Sequence, residues 1–211
     1  MTSTNRPQDR RARAAEIQDQ HRRAERRRSL LIIGPAVGVA AVLVGMAAIA
    51  VVGQQQEQEQ VEAAARQPIE GVEEFNDLTR NHVNGPVDYP QTPAVGGDHA
   101  PIWTNCGAYS QPVETTQAVH SLEHGAVWVG YDPDLPQEQV ENLAGLAEAN
   151  SYLLVSPVEG VPAPVTASAW GKQLAVDTVE DPRLAAFVQK YQQGPQTPEP
   201  GAACTGGAGG M

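Results

Sequence analysis

The sequence predicts an α+β protein, with an N-terminal transmembrane helix followed by a compact exported domain carrying helices over a small, mostly antiparallel sheet. Three observations predict it. Residues 30–52 are apolar and carry no charge. A basic run stands immediately before them. Beyond residue 113, stretches with helical spacing alternate with short runs rich in Val and aromatic residues.

Residues 1–29 form the basic tail. Nine arginines face four acids over residues 1–28, a net +5, while the remainder has five bases against 21 acids, a net −16. An acidic surface repels a phosphate backbone, so nucleic-acid binding by the main domain is excluded as a function class. Residues 30–52 read LLIIGPAVGVAAVLVGMAAIAVV. At about 1.5 Å per residue this run spans a hydrocarbon core of about 30 Å. Arg22 to Arg28, RRAERRR, flank it. Basic flanks stay cytoplasmic, so the tail is expected inside and the chain from residue 53 onward outside the cell membrane. A rival reading takes Arg27-Arg28-Ser29-Leu30-Leu31 as a twin-arginine export signal, cleaved near Ala48-Ile49-Ala50. The apolar run is longer than the 7–15 residues or so of a signal, which favours a retained anchor. Both readings export the domain.

Residues 53–79 are expected to be a stalk. QQQEQEQVEAAAR (54–66) is polar and rich in helix formers. In 70–79, Val72, Phe75 and Leu78 recur at spacing three, which predicts a short amphipathic helix. The exported domain then occupies 80–205. Its first part, 82–113, is dense in Pro and Gly and predicts an irregular layer with short strands. A helix follows at 113–124, capped by Gly125. A strand follows at 126–131, a helix at 136–149, a strand at 151–158, and further strands at 165–171 and 173–178. Asp181-Pro182 opens a last helix whose Leu184, Phe187, Val188 and Tyr191 share one face, and Gly194-Pro195 ends it. Residues 206–211 are expected to be a flexible, glycine-rich tail. Cys106 and Cys204 are the only cysteines, and an even pair in an exported domain predicts a disulfide.

Histidine is scarce, yet four of the five lie in the domain: His82, His99, His120 and His124. On a helix, His120 and His124 stand one above the other at i, i+4, where two imidazoles can share a divalent metal. His99 follows Gly96-Gly97-Asp98, and Asp98 is a candidate ligand or an acceptor that orients an imidazole. Imidazole donors in an exported domain suit zinc or copper. His120-x-x-Glu123-His124 is also the pattern of inverted zinc peptidases. That reading makes Glu123 the catalytic base and Glu199 or Glu141 the third ligand, although Gly125 cuts the helix short. The competing reading is structural, with the histidines as hydrogen-bonded packing residues. Trp103, Trp128 and Trp170 are expected in the core. No Gly-x-Ser-x-Gly, phosphate loop or Cys-x-x-Cys is present.

Several runs occur together: His82-Val83-Asn84-Gly85-Pro86, Gly96-Gly97-Asp98-His99-Ala100, Trp103-Thr104-Asn105-Cys106-Gly107, HSLEHGAVW (120–128), Ser168-Ala169-Trp170-Gly171, and Pro198-Glu199-Pro200-Gly201-Ala202 followed by Cys204. With them, residues 55–205 resemble a family of bacterial, mainly actinobacterial, single-pass membrane proteins defined by a domain of unknown function. The resemblance implies a basic tail, one membrane helix and an exported domain. It also implies that His82, His99, His120, Glu123, His124 and both cysteines are signature positions, and it lends no activity. The expected function is an exported binding or assembly domain holding zinc or copper. The alternatives are a small metal-dependent hydrolase using Glu123 and a purely structural envelope protein without metal. The membrane is the one partner the sequence names.

Overall fold

The computed structural model describes the backbone of residues 7–209 and, within it, all side chains except those of 7–12 and 29–41. The chain divides into two compact units, Met1–Glu57 and Gln58–Met211. Helix α1 covers Pro7–Ala65. The apolar run 30–52 belongs to it, and the side chains of 30–41 lie outside the described residues. Among the described residues no helix is long and apolar enough to cross a membrane. Val42, Leu43, Val44, Met46, Ile49, Val51 and Val52 are exposed along this helix.

In the second unit, β1 (Val72–Glu74) and β2 (Gly107–Ala108) precede α2 (Thr115–Glu123) and β3 (Val127–Tyr131). Then come α3 (Gln137–Glu148), β4 (Leu153–Pro157), β5 (Val165–Ala169), β6 (Lys172–Val176) and α4 (Pro182–Tyr191). The strands form one six-stranded sheet in the order β1-β6-β5-β3-β4-β2. The pairs β1–β6, β6–β5 and β5–β3 are antiparallel, whereas β3–β4 and β4–β2 are parallel. The sheet is therefore mixed, with three antiparallel pairs and two parallel ones. The cause is α3: a helix between β3 and β4 carries the chain back to the starting end of the sheet, so the second strand runs parallel to the first. Val129 lies opposite Val155 on one side of β3 and opposite Ala167 on the other.

The helix expected over 70–79 is corrected. Val72–Glu74 pairs with Leu174–Lys172 as an edge strand, and the Phe75 amide continues the contact to the Gly171 carbonyl at 2.9 Å. Three apolar residues cannot nucleate a stable helix. The open edge of β6 offers backbone partners to the same segment.

Alternation along the strands builds two cores. Val127, Val129, Leu153, Val155, Val165 and Ala167 face Leu143 of α3 and Leu184, Phe187 and Tyr191 of α4. On the other face, Trp128, Leu154 and Trp170 meet Ala118, Val119 and Leu122 of α2 and Ala94 of the irregular layer. The second face is partly polar, and its sheet polar groups find partners. Ser156 accepts from Trp128 Nε1 at 3.0 Å, and Gln173 donates to the Pro93 carbonyl at 2.8 Å. The sheet thus separates α3 and α4 from the layer that carries every histidine of the domain.

The disulfide joins Cys106 to Cys204 across a sequence separation of 98, with Cα atoms 5.4 Å apart. The segment after it is tied down. Ala208 N donates to Trp103 O at 2.8 Å, Asn105 N to Ala208 O at 2.9 Å, and Tyr109 Oη to Gly209 O at 3.0 Å. Glycines without side chains let this strap lie flat on the irregular layer, where the sequence reading expected a flexible tail. Residues 210–211 lie outside the described residues.

Candidate metal centre

Helix α2 delivers three of the clustered residues. His120 and Glu123 stand on its last turn, and His124 is its C-terminal cap. Gly125 follows at φ +93°, and its amide donates to Leu122 O at 3.0 Å. A Cβ there would collide with the Gln193 and Thr197 side chains. The helix therefore stops after His124, with the last ring held against the preceding turn.

His99 arrives from the irregular layer. Gly96, at φ +141°, brings the chain so close to the core that a Cβ would lie 2.8 Å from Leu78 Cδ1. Three residues later, His99 N donates to Asn81 O at 3.0 Å, and Val83 N donates to His99 O at 2.8 Å. This short bridge sets His82 beside His99. The rings pack closely: the centroids of His82, His99 and His120 are 4.8–4.9 Å apart, and His120 to His124 is 4.6 Å. His99, His120, Glu123 and His124 are all buried, at 0–5% exposure, and His82 forms the open side with its ring half exposed.

The hydrogen bonds decide which nitrogen faces the cluster. His99 Nδ1 donates to Gly97 O at 2.8 Å, His120 Nδ1 to Ala100 O at 2.7 Å, and His124 Nδ1 to Ala203 O at 2.7 Å. A carbonyl oxygen only accepts, so each Nδ1 carries the proton. In the neutral ring Nε2 is then a bare lone pair. Three imidazoles therefore turn Nε2 lone pairs inward, each with its other nitrogen anchored by backbone. That is the arrangement metal-binding histidines adopt.

The inward atoms converge. His99 Nε2 is 2.9 Å from Glu123 Oε2, His82 Nε2 is 3.6 Å from the same oxygen, and His120 Nε2 is 3.0 Å from His124 Nε2. One donor atom from each of His82, His99, His120 and Glu123 lies within 4.8 Å of the other three. Metal–donor bonds of about 2.0–2.1 Å set neighbouring donors roughly 2.9–3.4 Å apart. The same contacts are poor without a positive charge. His99 Nε2 and Glu123 Oε2 are buried without a hydrogen-bond partner, lone pair against lone pair. Either a second proton on the ring or a cation shared by both atoms satisfies them. Burial pushes the His120 ring down from 6.5 to about 4, and the neighbouring rings of His124, His99 and His82 push the same way against the Ala100 carbonyl. His120 is thus neutral at pH 7, the form that binds metal.

The remaining candidates separate by position. Asp98 is turned away: its Oδ1 accepts from Asn81 Nδ2 at 2.8 Å and from Asn81 N at 3.0 Å. Hydrogen bonds from Thr79 and Asn81 hold its carboxyl below the usual range. The acceptor that orients His99 is the Gly97 carbonyl, so both roles expected of Asp98 fall away. Glu141 belongs to α3, across the sheet, and accepts from Gln137. Glu199 does approach: its Oε2 is 3.7 Å from His124 Nε2, and its amide donates to Glu123 O at 3.0 Å. Trp128 and Trp170 are core residues, as expected, while the half-buried Trp103 ring lies 4.8 Å from His124 and walls the cluster. The carbonyls of Gly97, Ala100 and Ala203 were out of reach of sequence reasoning, because backbone acceptors leave no residue signature.

Residues 82–206 match the family model described as "Protein of unknown function (DUF3105)", and the chain belongs to that family. No curated protein and no solved structure matches it.

Proposed function

Taking that membership as the premise, we propose that the protein is a membrane-anchored, exported metal-binding domain whose buried His/Glu centre holds zinc or copper. One observation carries the reading: His99 and His120 present Nε2 lone pairs beside the buried Glu123 carboxylate, with every Nδ1–H committed to a backbone carbonyl. Imidazole and carboxylate donors suit zinc and copper(II) better than magnesium or calcium, which take oxygen alone. The disulfide supports an oxidising compartment. The uncharged run 30–52, behind RRAERRR, supports an anchor with its N-terminus in the cytoplasm. Exposed apolar side chains from Val42 to Val52 suit a lipid-facing helix. Glu123 sits among the imidazoles as a donor, so binding is favoured over hydrolysis by a free carboxylate base.

The test is elemental analysis of the chain, exported through an oxidising compartment without a histidine tag and dialysed against a weak chelator. Zinc or copper should remain bound at one equivalent or more, and a His99→Ala/His120→Ala variant should lose it. A metal-free protein that takes up neither ion on titration would overturn the proposal.

A further inference from the structure

We infer that the centre holds two metal ions rather than one, divided into an inner position of His82, His99 and Glu123 and an outer position of His120, His124 and Glu199. This inference rests on the metal-binding reading above. The donors fall into two sets of the same composition, two imidazoles and one carboxylate. In the inner set both contacts run to Glu123 Oε2, at 2.9 Å from His99 and 3.6 Å from His82. In the outer set both run to His124 Nε2, at 3.0 Å from His120 and 3.7 Å from Glu199.

As a hydrogen bond, the outer contact needs a second proton on one of the two rings. Both rings donate Nδ1–H to carbonyls, to Ala100 and to Ala203. With one proton per ring, held at Nδ1, the two Nε2 lone pairs face each other at 3.0 Å inside a buried pocket. A cation between them converts that repulsion into coordination. Each Nε2 has one lone pair, so His120 serves one metal only, and its nearer partner is His124. The Glu199 amide bonded to the Glu123 carbonyl fixes the two carboxylate-bearing segments side by side. Shared centres of this kind hold their ions about 3.5–4 Å apart. Glu199, about half exposed, and His82 leave each position one accessible donor, so each ion has a route in.

The experiment titrates the metal-stripped chain, in detergent, with cobalt(II) and separately with zinc(II). Bound metal is counted after desalting, and the cobalt d–d spectrum is followed. Two equivalents are expected, falling to one in Glu199→Gln and in His124→Ala. Glu199→Gln changes an exposed side chain, so it keeps the test open if His124→Ala fails to fold. One equivalent in the wild type, or two retained in both variants, would overturn the two-metal centre and leave the metal-binding proposal standing. No bound metal at all would overturn both.

Discussion

Replacing both cysteines, Cys106→Ala/Cys204→Ala, tests how the C-terminal strap supports the domain. The bridge closes a sequence separation of 98. In the chain-entropy model a loop of that length stabilises the native state by about 4.7 kcal/mol, an upper figure. Ala203, next to the bridge, supplies the carbonyl that anchors His124, and Cys106 N donates to Cys204 O at 2.8 Å. For a unit of this size each kcal/mol lowers Tm by about 2–4 °C, so the variant should melt about 10–20 °C below the wild type. Circular dichroism melts of both proteins under non-reducing conditions read this directly, and dithiothreitol should lower the wild-type curve towards the variant's. The carbonyls that anchor His99 and His120 belong to Gly97 and Ala100, outside the strap. The variant should therefore keep metal at His99 while His124 loses its backing. A Tm change under 2 °C, or complete loss of metal at temperatures where the variant is folded, would refute the reasoning.

Further outcomes follow from the packing. Phe187 is fully buried between α4 and the sheet, so Phe187→Ala should cost about 3–5 kcal/mol in urea unfolding, with the metal content of the folded fraction unchanged. Gly125→Ala places a Cβ at φ +93° against Gln193 and Thr197, and should cost more than about 1 kcal/mol by the same measurement. In the metal-free chain, His120 stays neutral in the native state down to about pH 4, whereas the unfolded ring protonates near 6.5. Between those values the unfolded state takes up a proton that the native state refuses, so stability falls as pH drops, by at most about 3 kcal/mol, and is untouched above pH 6.5. His120→Gln should remove that part of the pH dependence, read as urea midpoints at pH 7 and pH 4.5.

The helices and main strands were legible because their signals are local. The apolar face of Leu184, Phe187, Val188 and Tyr191 and the Asp181 cap, which accepts from Arg183 N at 2.9 Å, define α4 with no tertiary help. Val127–Tyr131 reads as a strand from its composition alone. The parallel pairing of β3 and β4 is also encoded locally, as a helix standing between two strands. β1 is hidden: a strand of three residues exists only because an edge in space accepts it, whereas β2 falls in the layer expected to hold short strands. At the centre, the spacing of His120 and His124 and the scarcity of histidine point to side chains that the fold brings together. Asp98 was named because it adjoins His99 in sequence, yet adjacent residues leave an irregular turn in different directions, and its carboxylate caps Asn81 instead. The approach of Glu199 depends on the disulfide and the strap folding back over 75 residues of chain from His124, which no local pattern encodes.

The central claim is that imidazole Nε2 atoms of the buried cluster, with the Glu123 carboxylate, bind metal directly. X-ray absorption at the metal edge of the zinc-loaded chain tests it most directly. The account predicts nitrogen and oxygen donors at about 2.0–2.1 Å, the outer-shell scattering of at least two imidazole rings, and loss of that ring signal in His99→Ala/His120→Ala. A first shell of oxygen alone, or a ring signal unchanged in that variant, would contradict it.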